Sequence, residues 1–148
     1  NSAEEVWEKL VSVHDQIFLV LCGHHHGQSR RVDENKFGHQ VYQILADYQG
    51  RGQAGLAAGQ PLHPLMGSPV GIGDGWYRLM EFHLGGEAPY VDVQTWSSHY
   101  RKHASELSTY GEWYKGSQYG NMSDEEFLAT EEFRIDLIDF RARFGLPQ

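Results

Sequence analysis

Ile17-Phe18-Leu19-Val20-Leu21-Cys22-Gly23-His24-His25-His26-Gly27 is the stretch from which the rest of the chain is read. Six apolar residues run without interruption into a glycine, and three histidines follow at once. A run this short and this apolar predicts a strand buried on both faces. Gln16 precedes it and Gly23 ends it, so the histidines are expected where the strand leaves its sheet. Ligands of open α/β sheets gather at the carboxyl ends of strands. Neutral imidazole is the commonest protein metal ligand, and glycines on both sides permit a tight turn. Three imidazoles on such a turn read as half of a metal site.

The 148 residues suit one domain, taken here as 1–148. Aromatic residues make up 13% of the chain and supply core area from few positions. The net charge is -8 and no basic stripe is visible, which argues against non-specific nucleic-acid binding. The one cysteine, Cys22, lies in the apolar run and is expected to be a small buried hydrophobe. It excludes a disulfide framework and leaves the redox compartment open. No run is long enough to cross a membrane, and no signal peptide is seen. The chain begins without Met and reads as a piece of a longer protein; its cellular location is not indicated.

Upstream of the apolar run, residues 2–14 predict a helix. Ser2 with Glu5 makes a capping box, and Val6, Trp7, Leu10 and Val11 share one face. Downstream, the polar residues 28–38 read as a connection with a turn at Glu34-Asn35-Lys36. Residues 39–49 read as a strand whose Tyr42, Ile44, Ala46 and Tyr48 side is the more apolar. From 51 to 75, glycines and prolines break any period, which predicts a long flexible insertion. Trp76–Leu84 and Tyr90–Ser97 predict an antiparallel hairpin. Residues 98–122 read as an irregular arm anchored by aromatics. Ser123 with Glu126 predicts a second capped helix, with Asp124, Glu125 and Glu126 stabilising its start. Phe133–Phe140 alternates as a strand, with a helix through Ile138 as the competitor.

Gly23-His24-His25-His26-Gly27 after an apolar strand resembles the Gly-His-x-His signature that closes the metal site of calcineurin-like metallophosphoesterases. Gly73–Phe82 and Val91–Ser97 are similar to the antiparallel strands that follow it in that family, so the resemblance covers about residues 4–141. It implies an α/β (α+β) fold that is part of a four-layer αββα sandwich. Within that part, mainly one mostly antiparallel sheet is expected, with a flanking N-terminal helix and a long loop insertion. It implies that His24 and His26 bind two divalent or trivalent metal ions, of manganese, iron, zinc or magnesium. His25 falls at the variable position. The substrates implied are phosphate mono- or diesters, attacked by a metal-activated water.

The family's earlier motifs, Asp-x-His, Gly-Asp-x-x-Asp and Gly-Asn-His-Asp or Glu, are absent before His24. The chain is therefore expected to be the C-terminal section of a phosphoesterase, inactive without the missing N-terminal section of the same protein. An uncovered face should then drive self-association or show as an exposed apolar patch. Two other readings stay open. One is a non-catalytic β-rich module that binds a protein or glycan through its aromatics, with an incidental histidine cluster. The other is a stand-alone zinc hydrolase using His24, His26 and a distant His or carboxylate. His39, His63, His83, His99 and His103 read as surface or packing residues. Arg30 and Arg31 lie close enough to reach a phosphate but read as surface charge. Trp76, Trp96, Trp113 and the tyrosines read as packing anchors.

Overall fold

A computed structural model describes residues 2–60 and 73–145. The fold is mixed α+β, with two sheets. The first sheet contains β1 (Leu19–Cys22), β2 (Gly27–Glu34) and β3 (Gln40–Asp47), in the order β1-β3-β2. β3 is its centre, parallel to β1 and antiparallel to β2. The second sheet contains β4 (Trp76–His83), β5 (Tyr90–Ser97), β6 (Lys102–His103) and β7 (Phe133–Asp136). All its pairs are antiparallel, and β6 and β7 share the β5 edge opposite β4.

The hairpin expected from the sequence forms with β4 paired to β5 from Trp76–Ser97 to His83–Tyr90. Tyr42 and Ile44 of β3 and Tyr48 just beyond it are buried, as the more apolar side predicts, and Val41 on the other side is buried as well. One core joins Tyr42 and Ile44 of β3 to Val91 and Val93 of β5, Ile135 of β7, and Leu137 and Phe140 beyond it. Each such buried side chain contributes about 1.5–3 kcal/mol relative to exposure. The Tyr42 hydroxyl adds a directional link, donating to the Asp136 carbonyl at 2.6 Å. A second core gathers Tyr48, Trp76, Ala104, Tyr110, Tyr114 and Phe127.

The helices are short. α1 (Ala3–Val6) carries the predicted Ser2/Glu5 capping box and continues as a π-helical turn, Trp7–Val11. Of its apolar face only Val11 is buried; Val6 and Leu10 are exposed. α2 (Arg51–Ala57) and α3 (Tyr110–Tyr114) lie against each other, and α4 (Asp124–Leu128) starts at the predicted Ser123/Glu126 box. After β7 the chain turns into α5 (Phe140–Phe144), so the strand predicted to Phe140 stops at Asp136. Among the described residues, no helix is long and apolar enough to cross a membrane.

Four expectations need correction. The strand elements divide into two sheets rather than mainly one. The apolar run forms an edge strand, not one buried on both faces: Leu21 is 61% exposed, and Cys22 is exposed. Residues 27–34 form a strand where a connection was expected. Their polarity misled because Arg30, Arg31 and Val32 lie on an open part of the sheet. The predicted insertion at 51–75 opens as α2, whose residues pack on α3. Residues 61–72 of that insertion, His63 included, lie outside the described residues.

Candidate functional site

The histidine loop takes its shape from the strand order. β1 and β2 flank β3, so the chain must pass from one to the other over the end of β3. Adjacent strands lie about 4.8 Å apart, and Gly23 to His26 bridge the two spacings. Cys22 pairs with Leu45 on one side, and Gly27 with Asp47 on the other. Asp47 lies beneath the arch. Its Oδ2 accepts the His24 backbone N–H at 2.9 Å, and its Oδ1 accepts the Gln49 N–H at 3.0 Å. One carboxylate thus holds both the histidine loop and the turn leaving β3.

His24 has φ 74°, a left-handed backbone that costs a non-glycine residue about 1–2 kcal/mol. Such strain in a side chain that is not glycine points to a use for the side chain. His24, His25 and His26 are all exposed, and the His24 and His25 rings meet edge to face with centroids 5.8 Å apart. The loop therefore presents imidazoles to solvent at the carboxyl end of β1, where the sequence places them. Among the described residues, no group of three or more His, Cys, Asp and Glu side chains is arranged to hold a metal ion. The chain's own described donors do not complete a metal site around His24 and His26.

A cleft of about 390 Å³ opens beside the loop. His26, Gly27, Asp47 and Arg51 contribute one part of its lining, and Tyr114 to Tyr119 contribute another. Gly27 has φ 115°, and a Cβ there would lie 2.5 Å from the Tyr119 hydroxyl. That hydroxyl clasps the start of β2, accepting from the Gln28 N–H at 3.1 Å and donating to the Gln28 carbonyl at 3.0 Å. Gly50 lets the His26 ring approach: a Cβ there would come within 3.1 Å of Nδ1.

Behind the cleft lies a charged cluster that sequence reasoning missed. Glu131 is 0% exposed and accepts from Arg51 through Oε1. Its Oε2 accepts from the Tyr48 hydroxyl at 2.7 Å and from Arg78 at 3.0 Å. Arg51 also donates to Gln28 Oε1 at 2.6 Å. Burial, reinforced by the Glu131 charge, pushes the Tyr48 and Tyr110 hydroxyls well above their ordinary range. Both tyrosines stay neutral over the physiological range. Nothing periodic marks this cluster in the sequence, because Arg51 follows a glycine and Glu131 sits in an acidic pair.

The remaining candidates fall away from the loop. Arg30 lies over the Phe133 ring at 4.2 Å, and Arg31 pairs with Asp33 at 2.6 Å. His39 bonds Asp15 at 2.8 Å. His83 stacks on Tyr90, His103 meets Trp96 edge to face, and His99 meets Tyr100. Trp76 packs against Tyr110 with ring centroids 4.9 Å apart, inside the second core.

No family model matches the chain, and no solved structure matches it. An uncharacterized protein of Bacillus subtilis (strain 168), YvnB, is 30% identical over 115 residues. That alignment takes in 73% of this chain and 7% of YvnB, so the chain spans a small fraction of the length of this relative.

Proposed function

We propose that the chain is the C-terminal section of a calcineurin-like metallophosphoesterase, supplying His24 and His26 as metal ligands to a phosphate mono- or diesterase. The observation that carries this reading is the strained, exposed histidine loop at the carboxyl end of a parallel edge strand. A left-handed backbone is uncommon outside glycine, and His24 shares it among the described residues with Asp74 and Arg101.

The open edges support the same reading. Leu21 shares a sheet face with its partner Ile44, yet it is 61% exposed while Ile44 is 2% exposed. In the other sheet Phe82, paired with buried Val91 on the edge strand β4, is 44% exposed. Both are apolar side chains on core-bearing faces that lack cover at the sheet margins. Further strands continuing past β1 and β4 would cover them and extend the two sheets into the inner layers of an αββα sandwich. Those strands would bring the bridging and terminal carboxylates that His24 and His26 lack. In such a centre His24 and His26 would help to hold two divalent or trivalent metal ions, which would supply charge for the phosphate and a more acidic water.

The aromatic binding-module reading has less to draw on, because Trp76, Tyr110 and Tyr114 are buried in the second core. The test is hydrolysis of p-nitrophenyl phosphate and bis(p-nitrophenyl) phosphate by the protein carrying its native upstream sequence. Metal-dependent turnover is expected, lost in His24→Ala and His26→Ala while the circular dichroism spectrum is kept. A metal-loaded, folded extended protein that hydrolyses neither ester would overturn the assignment. Turnover indifferent to both substitutions would do the same.

A further inference from the structure

Arg51 and Arg78 share a single buried carboxylate, Glu131, and the three side chains are 5%, 7% and 0% exposed. Two guanidiniums against one carboxylate leave one positive charge in excess within the cluster. A buried charge without a counter-charge is unfavourable, and the remedy is an anion within reach. Arg51 is the member of the cluster that lines the cleft. Its Nη2 is spent on Glu131 and Gln28. Its Nη1 is buried and has no hydrogen-bond partner among the described residues. The rings of Tyr48, Tyr110, Tyr114 and Phe127 lie 5.0 to 5.3 Å from the guanidinium carbon, which fixes the group and favours its charge.

One lysine and one aspartate also line the cleft. Lys115 lines it, and its ammonium is held at 2.8 Å by Asp124, which is mostly exposed. The carboxylate in the lining is Asp47, whose two oxygens already accept backbone N–H groups. The chain as a whole is strongly acidic, yet here a lysine and an arginine with one unpartnered nitrogen border one cleft beside a single aspartate.

We propose that this cleft is an oxyanion subsite for a phosphate- or sulfate-type group, recognised by Arg51 and Lys115 through charge-assisted hydrogen bonds. The site needs no metal. Where it rests on the phosphoesterase reading, it also narrows the substrate. The ester would carry a second anionic group beyond the scissile phosphate, seated in the cleft while the reacting phosphate lies at His24 and His26.

Inorganic phosphate and pyrophosphate, titrated into the chelator-free, metal-free chain, supply the test, read by backbone amide shifts. Saturable shifts are expected at Gly27, Gly50, Gly116 and Ser117. Lys115→Ala should weaken binding about fivefold. Asp124→Asn should tighten it about two- to fivefold by releasing Lys115 from its partner. Arg51→Met should abolish binding; if that variant does not fold, the Lys115 and Asp124 variants decide. The proposal is overturned by linear, unsaturated shifts, by shifts centred on Arg30 and Arg31, or by affinities unchanged in Lys115→Ala and Asp124→Asn. Because the titration contains no metal and reads binding alone, its failure leaves the hydrolysis test standing, and failure of that test leaves this one standing.

Discussion

The His24 backbone N–H donates to Asp47 Oδ2 at 2.9 Å, which ties the histidine loop to the strand it arches over. Asp47→Ala removes the acceptor for this bond and for the Gln49 N–H. Loss of two partly exposed bonds to one carboxylate should cost about 1–2 kcal/mol, measured as a lower urea midpoint at unchanged slope. Asp47→Asn keeps one acceptor oxygen and should cost less than the alanine variant. Equal midpoints for Asp47→Ala and the parent would remove Asp47 as the support of the loop.

The left-handed backbone of His24 makes a separate prediction with the opposite sign. Glycine there relieves about 1–2 kcal/mol of strain and gives back about 0.5–1 kcal/mol in unfolded-chain entropy. His24→Gly should therefore be more stable than the parent by about 0.5–1 kcal/mol. In the extended protein the same variant should lose hydrolysis. A residue whose removal stabilises the chain and abolishes turnover is kept for its side chain. A destabilised His24→Gly would mean that the imidazole holds the loop together instead.

At Gly27 the constraint is steric. A methyl group there meets the Tyr119 hydroxyl at 2.5 Å, on a backbone at φ 115°. Gly27→Ala must displace Tyr119 and break both of its bonds to Gln28. A loss of about 2–4 kcal/mol is expected from strain and broken bonds together. The double variant Gly27→Ala, Tyr119→Phe should recover part of it, since the clash is with the hydroxyl. Thermal or urea denaturation of the two variants decides the point.

The parts of the fold legible in the sequence are those in which one residue sees one environment. β4 and β5 alternate because each has one face on a core, and Ser2 and Ser123 cap helices by local bonds that need nothing distant. β1 and β2 were misread for a shared reason. Hydrophobicity reports the environment a strand is suited to, and both lie at the margins of their sheet. Leu19–Cys22 is apolar yet open, while Gly27–Glu34 is polar yet fully paired with β3. The histidine loop could be placed because a strand end precedes it. The lining of the cleft could not, because Arg51, Lys115 and Tyr119 reach it from α2 and from the segment after α3. Glu131 lies 80 residues from Arg51 in sequence, and no spacing rule joins them.

Glu131 is also where substitution should do most damage. Glu131→Ala leaves Arg51 and Arg78 buried with no carboxylate between them and takes from Tyr48 the nearer of its two partners, the other being Thr95 at 3.1 Å. Breaking a buried ion pair by removing one partner costs about 3–5 kcal/mol. A loss of that size should leave the chain unfolded or marginal at 37 °C. Glu131→Gln keeps shape and one acceptor but not charge, and should lie between the two. A phosphate-dependent rise in its midpoint that exceeds the parent's would follow from the additional uncompensated charge.

Asp15 links stability to pH. Desolvation works to raise its carboxyl, but hydrogen bonds from His39 and Asn35 and the Arg143 charge outweigh it, holding it below its ordinary range. The Asn35 amide and His39 Nδ1 both lie 2.8 Å from Oδ1. Arg143 anchors the same corner, donating to the carbonyls of Asp15 at 2.6 Å and Ile17 at 2.9 Å. A carboxyl lowered on folding stabilises the native state above its unfolded value and loses that contribution as pH falls through the folded value. The ordinary value is 3.8, so the contribution should be whole at pH 6 and fade as the pH falls below about 4. Asp15→Asn has no such group. The parent should exceed it in stability by about 1 kcal/mol at pH 6, and the gap should close as pH is lowered through that range. Urea unfolding of both proteins across the series reads the difference, which cancels the other carboxylates they share. A gap that is constant with pH would mean that Asp15 acts here by shape and not by charge.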